Sequence, residues 1–246
     1  MKKFNDEEAF NLYLAGVVAF RLFADRPQPT LTVSEQIAAN IGERIIEGKL
    51  EQGAPIREQD LADEFEVSRG PIREAIRMLE GEGLVTVLAR RGAFVTSLRV
   101  DEVREIFEIR VGLFEIVSRK VALARDPELL GVLRAGVASL EELARLDEDA
   151  GQYAETSYRL SILSARSGGN SRLARMLTAL SLQTLRYSRI SLASKARRQQ
   201  SAKAWRQAVD ALQRGEAAQY VELIRKRVEE SGAAAVRHLT SIHSAA

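Results

Sequence analysis

Between Ile56 and Val95 the apolar positions change period, and the change predicts helix, turn, helix and then two short strands. In IREQDLADEFEV, Leu61, Ala62 and Phe65 fall on one face at helical spacing and the acidic residues fall on the other, which predicts a short amphipathic helix. Glu66 and Val67 predict a turn. Ser68 then stands where it can cap a second helix, with Pro71 in the first turn, where a missing N–H costs nothing. In that helix Ile72, Ile76 and Leu79 form a stripe that packs, while Arg69, Arg73 and Arg77 recur every four residues on a stripe that reaches outward. Beyond Gly81 and Gly83, LVTVLA and AFVTSL are runs of strand formers around Arg90, Arg91 and Gly92, a hairpin wing with a basic turn. Ahead of this stretch, Thr32 and Glu35 can form a capping box, and Ile37, Ile41 and Ile45 make one stripe to a helix end near Gly48.

From Asp101 onward strand signals almost vanish and apolar residues recur at three and four, so an all-helical region follows. The pattern predicts helices over Val100–Ala124, Pro127–Asp147, Ala150–Ser167, Ser171–Ser194, Gln199–Arg214 and Ala217–Ser241, with breaks at Asp126–Pro127, Gly168–Asn170 and Gly215. Near the start, Asn5–Ala24 reads as an amphipathic helix whose apolar face takes either this chain's second domain or another subunit as partner. Pro27 and Pro29 break the chain after it. The expected organisation is an N-terminal helical extension over 1–31, a winged helix-turn-helix domain over 32–99 and an all-helical domain over 100–246. The fold class is mainly α.

Composition narrows the chemistry. The chain has 246 residues, 46% of them hydrophobic, which supports ordinary cores in about two domains. A net charge of +2 and a pI near 9.0 are mild, so affinity for nucleic acid has to come from local clustering of arginine. The absence of cysteine excludes disulfides, thiol nucleophiles and thiolate metal sites and fits a reducing, cytoplasmic compartment. LYLAGVVAF is preceded by acidic residues and followed by arginine, so it reads as neither a signal peptide nor a membrane span, and no membrane partner is expected. Nothing in the chain points to an enzyme: there are no credibly spaced paired carboxylates, no phosphate-cradling glycine loop and no metal-binding histidine set.

Two helices joined by a tight turn place the second in a DNA major groove, where arginine bonds guanine edges bidentately, and a wing beside it reaches the sugar-phosphate or the minor groove. The residues Glu64, Phe65, Val67 to Ala75, Ile76, Leu79, Glu82 to Leu84 and the wing Arg90 to Val95 resemble the winged-helix domain of the GntR superfamily of bacterial transcription regulators. The resemblance implies contact with DNA at Arg69, Gly70, Arg73 and Gly92. Gln59, Ser68, Arg77 and Arg91 complete the candidate DNA-binding set. Gly70 stands where threonine is common and Gln59 where many members have arginine, and both departures bear on which operator is read. For Arg77 a solvated stripe with weak ion pairs is an equal alternative.

The second half is similar to the FadR-like C-terminal domain, an antiparallel helical bundle around an effector cavity, on EIFEIRVGLFEIVSRKVA at Glu105–Ala122, SGGNSRL at Ser167–Leu173 and AVDALQRGE at Ala208–Glu216. Many members of that branch hold a divalent metal on an aspartate and three histidines. Those positions fall here on Glu155, Arg159, Trp205 and Arg227, and the only histidines, His238 and His243, lie near the C-terminal end, so no metal and no other cofactor is expected. Arg159 and Arg227 can instead supply positive charge to a carboxylate directly, with Arg110 as a further anchor and Tyr158, Tyr187 and Trp205 as apolar walls. The competing reading is that Glu155 and Arg159 form an i to i+4 pair worth about 0.3–0.5 kcal/mol and that Trp205 fills the vacated space. Between Leu182 and Val209 there is no acidic residue, while Arg186, Arg189, Lys195, Arg197, Arg198, Lys203 and Arg206 occur. Such runs are mostly solvated faces, and this one can also draw in anions or touch DNA nonspecifically.

These readings imply a homodimeric transcription regulator, a repressor in preference to an activator, that reads a palindromic operator in double-stranded DNA and responds to a small organic acid. The joint near Leu98–Asp101 is where movement between its domains is expected. The alternative is an architectural DNA-binding regulator that has lost effector sensing.

Overall fold

The computed structural model describes residues 31–146 and 150–243. The expected helix over Asn5–Ala24 and the break after it lie outside the described residues. The described chain falls into two compact units, one ending at Leu98 and the other beginning at Arg99.

The first unit opens with α1 (Val33–Ile46). Thr32 caps it through the expected capping box: its hydroxyl accepts from the Glu35 N–H at 3.3 Å, and the Glu35 carboxylate accepts from the Thr32 N–H at 2.8 Å. Strand β1 (Pro55–Ile56), α2 (Glu58–Glu64), α3 (Arg69–Gly81), β2 (Val85–Leu88) and β3 (Gly92–Val95) follow. Leu61 and Ala62 of α2 are buried, and so are Ile72, Ala75, Ile76 and Leu79 of α3, which packs on α1. The strands form an antiparallel sheet in the order β1-β3-β2, with Val85 opposite Val95 and Leu88 opposite Gly92. Ser68 occupies the N-cap position of α3, but its side chain makes no capping hydrogen bond, which corrects the expectation that its hydroxyl closes the helix. It is exposed, and water can satisfy the same N–H groups.

The second unit is a bundle of α4 (Val100–Ala124), α5 (Pro127–Leu143), α6 (Ala150–Ser167), α7 (Ser171–Ser191), α8 (Lys195–Arg214) and α9 (Ala217–His243). Its most extensive pairing is α4 with α9; α4 also packs on α6 and α7, and α9 on α7 and α8. Local caps account for several starts: Asp126 accepts from the Glu128 N–H, Asn170 from the Leu173 N–H and Ser194 from the Arg197 N–H.

Four helix ends differ from the sequence expectation, the last by two residues, since the helix expected to stop at Ser241 runs on to His243. The helix expected to reach Asp147 ends at Leu143, the one expected to reach Ser194 ends at Ser191, and the one expected from Gln199 begins four residues earlier, at Lys195. One side chain explains much of this. Arg198, 1% exposed, donates to the carbonyls of Leu192 and Ala193 at 3.0 and 2.8 Å and of Leu146 at 3.0 Å. A guanidinium satisfies the carbonyls left open after α7 and reaches back to the end of α5, so both helices can stop early without orphaned acceptors.

The seam between α4 and α9 depends on a glycine. A Cβ on Gly232 would lie 2.8 Å from Cγ and 2.9 Å from Cβ of the buried Phe107, close to the root of a side chain that cannot swing aside. Gly232→Ala is expected to cost about 1–3 kcal/mol through overpacking, read as a lower Tm of the full chain. An unchanged Tm would show that this seam is looser than described.

Candidate DNA-reading surface and buried arginine site

Arg69, Arg73 and Arg77 all lie on the exposed face of α3, and Arg91 lies at the tip of the wing. Two of them are positioned by α2. Arg69 donates from Nε to Gln59 Oε1 at 2.8 Å, and a second bond runs from its Nη2 to the same oxygen; Gln59 Nε2 in turn donates to Asp63. Arg73 Nε donates to Glu58 Oε2 at 2.8 Å. These exposed pairs add little stability, but they set the direction in which two long side chains start. Gly70 is exposed, and an added Cβ would meet only Ser68 Oγ, at 3.8 Å, so the surface there is open rather than crowded. At the wing, Arg90 and Gly92 both have positive φ (65° and 91°), which fits glycine at position 92. The Arg91 guanidinium lies 5.9 Å from the Phe94 ring centroid. Glu58 was not singled out from sequence, because an acidic helix reads as lying outside the basic edge; only the packing of α2 on α3 brings its carboxylate to Arg73.

Inside the helical unit Arg110 and Arg227 are buried without a carboxylate and, unlike Arg198, without a cluster of backbone carbonyls. Arg110 on α4 donates to Thr184 Oγ1 at 2.7 Å and lies 4.5 Å from the Phe107 ring centroid. Arg227 on α9 lies 4.0 Å from the Trp205 ring centroid and reaches Ser161 Oγ at 3.3 Å. Both guanidinium groups are within 6.0 Å of the Phe114 ring. Nε of each has no hydrogen-bond partner among the described residues. Burial pushes the Arg110 pKa down to about 9, with Arg227 lowering it further and Tyr158 opposing; burial likewise pushes Arg227 down to about 10. The groups acting on the two charges are tyrosines and other arginines. Desolvated cations with open N–H groups favour an anion.

The other effector candidates divide. Tyr158 is buried and close enough to act on Arg110. Tyr187 is buried on α7, one turn beyond Thr184. Trp205 is 1% exposed, donates from Nε1 to Ser157 Oγ at 3.0 Å and offers its ring to Arg227. Arg159 bonds Glu155 at 2.6 Å with both side chains largely buried, so the pair is an internal contact and not a solvated face.

Residues 33–95 match the family described as bacterial regulatory proteins, gntR family, and residues 105–230 match the FCD domain. The chain belongs to the GntR family. Among similar GntR relatives, the HTH-type transcriptional regulator YdhC of Bacillus subtilis is 36% identical over 118 residues, 48% of this chain and 51% of that protein. The gluconate operon transcriptional repressor of Bacillus licheniformis is 38% identical over 39% of each chain. BphR of Paraburkholderia xenovorans is 31% identical over 69% of this chain and 73% of its own. The chain thus spans about half of the first of these relatives and less of the second. Escherichia coli McbR/YncC shares the fold at 16% identity, with a TM-score of 0.73 over 85% of this chain and 99% of that one.

Glu155, Arg159, Trp205 and Arg227, the residues that the resemblance sets against the family's metal ligands, do not fit a cation. The one carboxylate is bonded to Arg159, and guanidinium has no lone pair to give. Among the described residues no group of three or more acidic or histidine side chains can hold a metal ion. No helix there is long and apolar enough to cross a membrane. The basic run between Leu182 and Val209 is only partly a solvated face: Arg198 is the internal latch described above, and Arg206 makes a two-bonded pair with Glu141 at 2.9 and 2.7 Å.

The two kinds of buried arginine should behave oppositely. Arg198→Met strands three backbone carbonyls and is expected to cost about 3 kcal/mol or more. Arg227→Met removes a buried charge that has no counter-ion, and the ligand-free protein is expected to be unchanged or up to about 4 kcal/mol more stable. Thermal unfolding of both variants checks the contrast; equal destabilisation would mean that the contacts of Arg227 hold it as firmly as the three carbonyls hold Arg198.

Proposed function

We propose that this GntR-family chain is a homodimeric, cytoplasmic, sequence-specific DNA-binding transcription regulator, acting as a repressor, whose helical domain senses a small organic acid. The observation that carries the effector is the pair of buried guanidinium groups, Arg110 and Arg227, each with an N–H left open and neither with a carboxylate beside it. A carboxylate placed between them would restore the charge balance that burial removes and would find aromatic walls in Phe114 and Trp205. Tyr158, which acts on Arg110, belongs to the same proposed site, and Tyr187 and the Glu155–Arg159 pair are proposed as its further lining. The presence of an FCD domain supports effector binding, and a relative named as the gluconate operon repressor supports repression. The domains divide as 1–31, 32–99 and 100–246, and the joint at Leu98–Asp101 passes the signal: the effector releases DNA by binding the released arrangement more tightly than the DNA-bound one.

DNA is read by Arg69, Gly70 and Arg73 in the major groove, started in direction by Gln59 and Glu58, with Ser68 and Arg77 flanking and Arg91 and Gly92 at the wing. Arg73→Ala is expected to weaken binding to an operator selected from random duplexes roughly 5- to 150-fold, the equivalent of about 1–3 kcal/mol for a lost bidentate base contact. Equal affinity in a titration at fixed salt would remove Arg73 from the interface.

The effector has a signature in pH. Because the folded-state pKa of Arg110 lies below its ordinary value, the folded protein carries fewer protons than the unfolded chain above about pH 9. The ligand-free protein therefore gains stability from this group as pH rises through 9 and lacks that gain below it. An added carboxylate does the reverse. It should raise Tm at pH 7, by about 2.7 kcal/mol of stability at a hundredfold excess over Kd, and the increment should fade by pH 10. A panel of small carboxylates that gives no shift at pH 7 would favour the architectural regulator without sensing, and a shift unchanged at pH 10 would move the carboxylate away from Arg110.

A further inference from the structure

The 25-residue helix α4, which packs on α6, α7 and α9, also carries an apolar stripe on the outside. On α4, Ile109, Ile116 and Leu123 are 50%, 47% and 81% exposed and recur every seven residues, which sets them along one line of the helix. Gly112 lies on the same line, exposed, and a Cβ there would meet nothing within 4 Å, so another backbone can approach closely. The buried residues Val103, Phe107, Arg110, Phe114, Val117 and Val121 occupy the opposite side.

Charge is distributed unevenly along this outer face. Glu105 and Glu108 stand towards its N-terminal end, Arg119 and Lys120 towards its C-terminal end, and all four are exposed. Glu105 and Lys120 make no ion pair among the described residues, and Arg119 has only a 3.9 Å contact with Glu115. A helix face that is acidic at one end, apolar in the middle and basic at the other is complementary to itself when a copy lies antiparallel. With the axis between Gly112 and Leu113, Ile109 meets Ile116 of the partner subunit, and Glu105 meets Lys120 of the partner subunit. Each contact then occurs twice. A parallel arrangement would set like charges together, and a mixed partner would have no reason to match this register.

We infer that the outer face of α4 is the two-fold interface at which a second copy of this chain docks, antiparallel, with Ile109, Gly112 and Ile116 at its centre and Glu105 paired to Lys120. This rests on the homodimer proposed above and supplies its surface. It also suits the proposed operator: α4 has 25 residues, so an antiparallel pair sets the two Val100 ends about 37 Å apart at 1.5 Å per residue, close to the separation of half-sites one DNA turn apart.

The chain has no cysteine, which makes the test direct. Full-length Gly112→Cys, oxidised mildly, should give a disulfide-linked dimer on a non-reducing gel, while Arg104→Cys, on another exposed side of α4, should not. In sedimentation, Glu105→Lys should raise the dimer dissociation constant about tenfold or more, and Glu105→Lys combined with Lys120→Glu should restore it. An unchanged Tm in each variant excludes a folding defect. A dimeric wild type that gives no link at position 112 and no response to the charge reversal would overturn this interface and leave the dimer standing. That outcome includes the case in which residues 5–24 of the same chain cover the stripe. A wild type that is monomeric at tens of micromolar would overturn the dimer itself and the interface with it.

Discussion

The constraint on which the helical half turns is the desolvation of two guanidinium groups. A charge taken out of water needs a counter-charge, a full set of hydrogen bonds or a polarisable face. Arg198 comes closest to the second solution, with three backbone carbonyls around it and only Nε left without an acceptor. Arg110 and Arg227 have only part of it: one hydroxyl each, aromatic rings at 4.5 and 4.0 Å, and an Nε with no acceptor. The α4–α9 seam that holds them is tight enough that Gly232 has no room for a methyl group. The bundle therefore keeps two destabilising charges in a rigid setting, an arrangement expected of a binding site, where stability is given up for ligand affinity.

The reading head is organised on a different principle. Its core is small and apolar, and its functional side chains are on the surface, where water screens their charge. Precision comes from short polar contacts between α2 and α3: Gln59 with Arg69 and Glu58 with Arg73. Gln59, where the resemblance to the family leads one to expect arginine, is the side chain that holds Arg69. Gly70 adds open space beside it.

Much of this was legible from the chain alone. The 3.6-residue stripes placed α1 to α9 because a helix that must bury one face has to repeat its apolar residues at that period. Val100–Ala124 and Ala150–Ser167 agree with the structure to the residue, since proline, aspartate and glycine breaks stand outside them. The capping box at Thr32 and Glu35 and the wing around Gly92 are local features, and local sequence encodes them. The stripe of Arg69, Arg73 and Arg77 needed only helical spacing to be recognised as outward-facing.

What the tertiary structure decided is where partners come from far along the chain. The ends of α5 and α7 depend on Arg198, which no local pattern distinguishes from its basic neighbours. Glu58 acquires its role from a helix 15 residues away, and Arg206 from Glu141, 65 residues away. The sequence left Arg159 open between an anchor like Arg227 and an i to i+4 pair with Glu155; folding makes the pair, and leaves Arg227 stacked on Trp205 with an open N–H. Periodicity determines which face of a helix turns inward, because hydrophobic burial acts on every turn alike. The charge state and the partner of a side chain inside depend on the dielectric and the neighbours that packing brings together, and those exist only in the folded chain.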